Sequence, residues 1–128
     1  MNGLILDTNA YAGFLRGDPR AASALKAAPE IHLPLIVLGE LLAGFRHGSR
    51  QRENRDELAR FMASPRVQLM QSDEKTAHQY AEVYHALRVQ GTPIPTNDLW
   101  IASLARQHRI PLLTFDAHFR AVPDITLI

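Results

Sequence analysis

The hydrophobic residues follow two spacings that alternate along the chain. Short apolar runs predict buried strands at residues 4–6, 31–33, 67–70, 112–115 and 125–127. Apolar residues three or four positions apart predict helices at residues 10–27 with a break at 17–19, then at 34–45, 49–63, 72–91 and 96–108, with a helical turn at 116–119. Short strands and helices therefore alternate through the chain.

Such alternation is typical of a parallel sheet, because parallel strands need long crossover connections that are usually helices. We predict an α/β fold, a three-layer-like sandwich with a short, largely parallel central sheet flanked by helices. The expected helix starts are Pro34 in a first turn, Ser72 as an N-cap, and Thr96 or Asn97 as an N-cap. With 128 residues, the chain has the length of one ordinary domain, and we expect residues 1–128 to form one.

Composition narrows the classes of protein to consider. The chain has no cysteine, which excludes disulfide scaffolds and zinc sites built on thiolates. No apolar stretch is long enough to cross a bilayer, and no basic leader with a cleavage site precedes the first strand. We therefore expect a cytoplasmic protein with no membrane association.

Two predicted strands are followed closely by aspartate. Asp7 comes directly after residues 4–6, and Asp116 comes directly after residues 112–115. Parallel strands end at the same edge of a sheet and neighbours lie about 4.8 Å apart, so two carboxylates there can share one cation. The alternative is that each aspartate only caps the helix that follows it.

Two further acids stand out on predicted helices. Glu40 is the only ionisable residue among the twelve at positions 34–45. A helix so apolar is expected to be buried, and a buried carboxylate needs a partner, which could be a metal, a distant arginine or solvent at the helix end. Asp98 precedes an apolar stripe through Ile101 and Ala105, which directs it towards the core unless it is an ordinary first-turn acid.

Four anions in one pocket repel each other unless cations are bound. Sites made only of carboxylate oxygens favour hard divalent ions such as Mg²⁺ or Mn²⁺, which often also bind phosphate. A phosphodiester substrate fits such a site, because the metal can activate water and stabilise the leaving oxygen without a serine or cysteine nucleophile.

The motifs around these acids resemble those of PIN-domain ribonucleases, specifically the VapC-type toxins of toxin–antitoxin pairs. The matching segments are Leu6-Asp7-Thr8-Asn9, Gly39-Glu40-Leu41-Leu42-Ala43-Gly44, Asn97-Asp98-Leu99-Trp100-Ile101-Ala102 and Leu113-Thr114-Phe115-Asp116-Ala117-His118-Phe119. The match covers essentially the whole chain, and although each segment alone is weak, four in order are specific.

The resemblance implies a metal-dependent endoribonuclease with Asp7, Glu40, Asp98 and Asp116 as catalytic and metal-binding residues. Supporting polar residues are then Asn9 and Thr114. It also implies RNA as substrate, a homodimer, and a small antitoxin that blocks the site. The chain departs from the family pattern at Phe115, where a polar residue is common, and between residues 34 and 37, where a serine or threonine common in the family is missing.

An acidic pocket must draw in a polyanion through positive charge at its rim. Net charge is +1, and the densest arginine segment holds the candidates for RNA contact, Arg46, Arg50 and Arg52. These arginines could instead form surface ion pairs, such as Arg52 with Asp56, or face the antitoxin. His118 could touch a substrate phosphate, but we expect an exposed histidine of a short turn without a catalytic role.

Two other functions fit part of the pattern. A magnesium-binding aspartate phosphoacceptor or phosphatase also places aspartates at strand ends, but it needs a lysine near the phosphoryl group. The two lysines, Lys26 and Lys75, lie within predicted helices. A non-enzymatic interaction module is the other alternative, and it leaves Glu40 unexplained.

Overall fold

The computed structural model describes residues 3–128, which contain a four-stranded parallel sheet. The strands are β1 (Leu4–Leu6), β2 (Ile31–Pro34), β3 (Val67–Met70) and β4 (Leu112–Leu113), in the order β3-β2-β1-β4. Ile5 lies opposite both His32 in β2 and Leu112 in β4. The central strand β1 is buried on both faces, as is usual for a parallel strand covered by helices.

In the described part of the chain, six helices flank the sheet, and two helices connect each strand to the next strand in the sequence. They are α1 (Thr8–Leu15), α2 (Pro19–Ala27), α3 (Leu35–His47), α4 (Gln51–Met62), α5 (Glu74–Gln90) and α6 (Thr96–His108), followed by a 3₁₀ helix (Ala117–Ala121). This arrangement confirms the predicted α/β class with a parallel central sheet. Within residues 3–128, the helices fall short of the length and apolar character that a membrane span requires.

The core is formed by the strands together with buried residues from all six helices, of which α6 buries the most. Ile101 and Ala102 of that helix are fully buried, as are Ile5 and Leu6 of β1. Because α6 begins at the carboxyl edge of the sheet, its packing against the core also holds its first turn, and hence Asp98, at that edge.

Two predicted N-caps and one predicted first-turn proline are wrong, although α6 covers its predicted range of residues 96–108. Pro34 is the last residue of β2, and α3 begins one residue later. Asp73 rather than Ser72 caps α5, because its carboxylate accepts from the Thr76 N–H in a capping box. Helix α6 begins at Thr96 itself, with Pro95 at the cap position and no side-chain cap.

The last two predicted strands are shorter than expected. β4 ends at Leu113, because Thr114 turns its hydroxyl into the site and Phe115 gives its N–H to a side chain. Of residues 125–127, only Leu127 forms a bridge, to Leu112.

Helix α3 is not buried on all sides, contrary to the expectation from its apolar sequence. Val37 and Leu41 are buried, but Leu35 is 50% exposed and Leu42 is 36% exposed. The helix covers the sheet with one face only. The expectation that Glu40 lies in a fully buried helix is therefore wrong.

Candidate active site

Asp7 lies where β1 ends and α1 begins. Its side chain is buried, and Oδ1 accepts from the Thr8 N–H at 2.8 Å while Oδ2 accepts from the Thr114 hydroxyl at 2.6 Å. Asp7 also interacts electrostatically with Glu40 and Asp98. It therefore caps α1 and lies among the other acids, so the two alternatives left open by the sequence coexist.

Thr114 connects Asp7 to the loop that carries Asp116. Its hydroxyl has one proton, which it donates to Asp7, and its oxygen accepts from the Asp116 N–H at 3.0 Å. Asn9 Oδ1 accepts from the Phe115 N–H at 3.1 Å. Both residues expected as polar supports thus contact the loop between β4 and Asp116.

Phe115, the departure from the family pattern, anchors this loop through its ring. The ring lies so close to α1 that a Cβ on Gly13 would be 2.6 Å from Phe115 Cε2. The guanidinium carbon of Arg20 lies 4.7 Å from the ring centroid. An apolar ring at this position therefore fixes the loop by packing, and a glycine in α1 is needed for the close approach.

Glu40 reaches the site from α3 and is partly buried. Its Oε1 accepts a hydrogen bond from the Thr8 hydroxyl at 2.8 Å. Thr8 therefore supplies a hydroxyl partner for this glutamate, although residues 34–37 contain no serine or threonine. Together with Asp98 and Asp116, Glu40 and Asp7 make up what we call the acid cluster.

Asp98 and Asp116 are bridged by His118. The histidine Nδ1 lies 3.4 Å from Asp98 Oδ2 and 3.1 Å from Asp116 Oδ1. One ligand atom from each of these three residues lies within 4.8 Å of the other two, a spacing that could hold a metal ion. The backbone N–H of His118 also donates to Asp116 Oδ1 at 3.0 Å, so Asp116 caps the 3₁₀ helix.

His118 is the residue at the site that the sequence interpretation missed. The prediction of an exposed side chain is right, since 52% of it is exposed, but it contacts two of the four acids. Its position two residues after Asp116 was the available signal. A short turn that begins at a site residue can bring its next polar side chain back to the same site.

Burial opposes ionisation in the acid cluster. It raises the pKa of Asp7 from 3.8 to about 6, and the Asp98 and Glu40 carboxylates add to the rise, while the hydrogen bonds from Thr114 and Thr8 oppose it. Burial also raises the pKa of Asp98, with Asp116 and Glu40 contributing and His118 opposing. A bound divalent cation would favour the ionised forms, so the donor set fits a hard metal ion.

Helix N-termini offset part of the electrostatic repulsion between these closely spaced acids. Asp7 and Asp116 stand at N-caps, and Asp98 lies in the first turn of α6. The positive end of each helix dipole favours an anion there. The arrangement can therefore hold anionic oxygens at one edge of the sheet for binding a cation and, through it, a phosphate.

The three candidate arginines lie outside the acid cluster. Arg46 is in the last turn of α3, Arg50 precedes α4, and Arg52 lies in its first turn; all three are exposed. Across residues 3–128, none of them forms an ion pair, so the alternative pair of Arg52 with Asp56 is absent. Their role in RNA contact stays a prediction.

The phosphoacceptor alternative finds little support in this geometry. Both Asp7 oxygens are engaged by hydrogen bonds and the side chain is buried, which leaves little room for a phosphoryl group on it. Within the described residues, neither Lys26 nor Lys75 forms an ion pair with an acid of the cluster.

Comparison with known families identifies the class. The PIN domain matches residues 4–125, which is nearly the whole chain, and the chain belongs to this family. The resemblance drawn from the four sequence motifs is therefore confirmed.

Similar proteins are found among VapC ribonucleases. The chain is 29% identical over 126 residues to ribonuclease VapC4 of Mycobacterium tuberculosis, covering 97% of this chain and 94% of that protein. It is 27% identical to ribonuclease VapC1 of Haemophilus influenzae, covering 94% and 92%. The VapBC2 structure from Rickettsia felis, bound to a promoter DNA fragment, superposes with a TM-score of 0.87 at 26% identity, covering 98% of this chain and 96% of that one.

Proposed function

We propose that this protein is a metal-dependent endoribonuclease and the toxin of a type II toxin–antitoxin pair. The observation that carries the proposal is the acid cluster at the carboxyl edge of the sheet. Asp98 and Asp116 lie within metal-binding distance of each other there, and Asp98 also interacts electrostatically with Asp7 and Glu40. Membership of the PIN family and similarity to ribonucleases of the VapC group support RNA as the substrate.

Within this proposal, Asp7, Glu40, Asp98 and Asp116 are the metal-binding and catalytic residues. A divalent ion bound there supplies activation of water and stabilisation of the leaving oxygen. The carboxylate oxygens favour Mg²⁺ or Mn²⁺ as the ion. Thr114 and Thr8 hold the Asp7 and Glu40 carboxylates in place through hydrogen bonds, as positioning residues.

His118 adds a polar group that sequence reasoning left out. Its Nδ1 is occupied by Asp98 and Asp116. Because the side chain is half exposed, it stands where a phosphate would approach these two acids. We assign it the role of orienting the two carboxylates.

The proposal includes two protein partners, an antitoxin suggested by the similar structures and a second copy of the chain implied by the family resemblance. Structures similar to this chain include complexes of VapB with VapC, such as the one from Rickettsia felis. We infer that a small antitoxin covers the acid cluster of this chain and that the active form is a homodimer. A cytoplasmic location fits an enzyme that cleaves RNA.

Cleavage of RNA by the purified protein tests the function. We expect cleavage with Mg²⁺ or Mn²⁺, none in excess EDTA, and loss of cleavage in Asp116→Asn. The matched control is Asp124→Asn, because Asp124 is an exposed aspartate outside the acid cluster. Cleavage that survives EDTA, or equal loss in both variants, would contradict the proposal.

A further inference from the structure

A small cavity adjoins the acid cluster on the side of the loop after β4. Its volume is about 230 Å³, and its lining includes Asp116, Ala117, Arg120 and Arg20. Asp116 thus belongs to both the acid cluster and this cavity, which we call the Arg120 cavity. Pockets for whole drug-sized ligands usually exceed about 300 Å³, so the cavity fits a group of phosphate size better than an entire nucleotide.

Three consecutive side chains of the 3₁₀ helix, at positions 118–120, lie in three different environments. In this helix, side chains three residues apart lie on the same side, which places Ala117 and Arg120 together along the cavity. His118 contacts the acid cluster, and Phe119 is fully buried in the core. Because Phe119 anchors the turn, the backbone of Arg120 is held at a fixed place beside Asp116.

Arg120 is an arginine without a partner in the described part of the chain. It is exposed and makes no hydrogen bond or ion pair within residues 3–128. A guanidinium offers five donors in a planar fork that matches phosphate oxygens. Its donors are therefore available to a ligand that enters the cavity.

Arg20 provides a second positive charge and is already fixed in position. Its Nη2 donates to the main-chain oxygens of Thr114 at 3.3 Å and of Ile128 at 2.9 Å, and its guanidinium lies over the Phe115 ring. Nε and Nη1 have no further hydrogen bond within residues 3–128. Two guanidinium groups thus line one small cavity.

We propose that the Arg120 cavity binds a phosphate of the RNA strand next to the one held at the acid cluster. This inference rests on the proposed function. The cavity would offset part of the repulsion between the acids and the polyanion, because it places the guanidinium groups of Arg120 and Arg20 beside Asp116. Ile128, whose oxygen accepts from Arg20, also lines the cavity, so Arg120 carries most of the proposed contact. Arg52, by contrast, lines a cavity with Gln51, Arg55 and Asp56, and this lining includes no acid of the cluster.

RNA binding measured against salt concentration tests the proposal. The Asp98→Asn background prevents cleavage, and the probe is a single-stranded RNA oligonucleotide in Mg²⁺. Arg120→Ala should weaken binding about tenfold and flatten the log–log salt slope by about 0.7. Arg120→Lys should keep the slope but bind more weakly than arginine, since the planar fork is lost.

The matched control is Arg109→Ala. Arg109 is also an exposed arginine without an ion pair in the described residues, but it follows the far end of α6 from Asp98. This variant has the same change in charge and should bind RNA as the background protein does. Equal weakening by Arg109→Ala and Arg120→Ala would show a general effect of charge and overturn the proposal.

A second measurement identifies the group that Arg120 binds. Oligonucleotides each carry one uncharged methylphosphonate, at successive positions. At one position, the methylphosphonate should weaken binding to the protein that retains Arg120. The same oligonucleotide should show no further loss with Arg120→Ala, because both changes remove the same contact. Additive losses at every position would overturn the assignment.

The experiments distinguish a wrong ribonuclease function from a wrong phosphate site. If the wild-type protein with metal neither binds nor cleaves RNA, the proposed function is wrong. If the wild-type protein cleaves RNA and Arg120→Ala keeps both affinity and salt slope, the function stands and the phosphate site alone is wrong.

Discussion

The two ends of α6 place charged groups in opposite ways. At its start, Asp98 is 14% exposed and lies near the like-charged Asp116 and Glu40. Near its end, Arg106 pairs with Glu82 at 3.2 Å, and Gln107 donates to Asp73, the cap of α5, at 3.0 Å.

The pKa shifts of the aspartates at the two ends of α6 are opposite in sign. Burial raises the pKa of Asp98, whereas hydrogen bonds from Thr76 and Gln107 lower the pKa of Asp73. At the far end of α6, charged groups have opposite-charge or hydrogen-bond partners. At the near end, several carboxylates lie close together and repel each other, and a bound cation can offset this repulsion. A helix that is stable along its buried face can carry a costly site at one end.

The largest expected effect is on catalysis at the near end. Asp98→Asn should reduce RNA cleavage by orders of magnitude, because it removes a charge proposed to hold the metal. Glu82→Gln at the far end should leave cleavage unchanged. Rates measured on one RNA in Mg²⁺ check both variants, and a comparable loss in Glu82→Gln would remove the contrast between the ends.

The next effect concerns the pH dependence of stability without metal. The pKa of Asp7 is about 6 in the folded protein, against an ordinary value of 3.8, so the folded state binds the extra proton between these values. The free energy of unfolding should therefore fall by up to about 3 kcal/mol as pH rises from about 4 to 7.

Urea unfolding in EDTA at several pH values measures this dependence. Asp7→Asn should lose most of it, because the amide does not titrate and its Nδ2 can donate to the Thr114 hydroxyl. A wild-type stability that instead increases from pH 4 to 6 by a margin that Asp7→Asn abolishes would contradict the raised pKa.

A smaller effect is expected from the cap at the far end. Asp73→Ala removes the acceptor for the Thr76 N–H and for Gln107, so it should lower the free energy of unfolding at pH 7. Because the pKa of Asp73 is lowered in the folded state, the stabilisation is present above pH 3.8 and is lost as pH falls below it. Urea unfolding of both proteins at pH 7 and pH 3 should show the gap narrowing, and a constant gap would contradict this.

The smallest effect is expected from the surface ion pair of α6. Glu82 is 62% exposed, so Glu82→Gln should change the free energy of unfolding by less than about 1 kcal/mol. Urea unfolding of both proteins at pH 7 checks this. A larger loss would mean that the far end also depends on buried charge.

Sequence patterns were sufficient for the class of fold. Alternating short apolar runs and helical spacings specify parallel strands with helical crossovers, and the sheet has that form. Helix ends were harder to predict. Ser72 and Asp73 both suit an N-cap, and only the hydrogen bond from the Thr76 N–H distinguishes them.

The four acids could also be selected from sequence, because an acid directly after a strand or alone in an apolar helix stands out locally. The family resemblance also indicated Asn9 and Thr114 as supports, but the sequence did not show which acid each neighbour contacts. The contact of Thr8 with Glu40 spans 32 residues along the chain, and that of Asp7 with Thr114 spans 107. Such pairs form only when the crossovers bring strand ends together.

The amino-acid order alone therefore determined the alternation of elements, the PIN motifs and the positions of the acids, since these depend on local spacing. Tertiary structure decided that α3 exposes Leu35, that His118 contacts two acids, and that Arg120 lines a cavity with Asp116. The physical reason is that burial and charge depend on which surfaces pack together, and a spacing along the chain does not specify that.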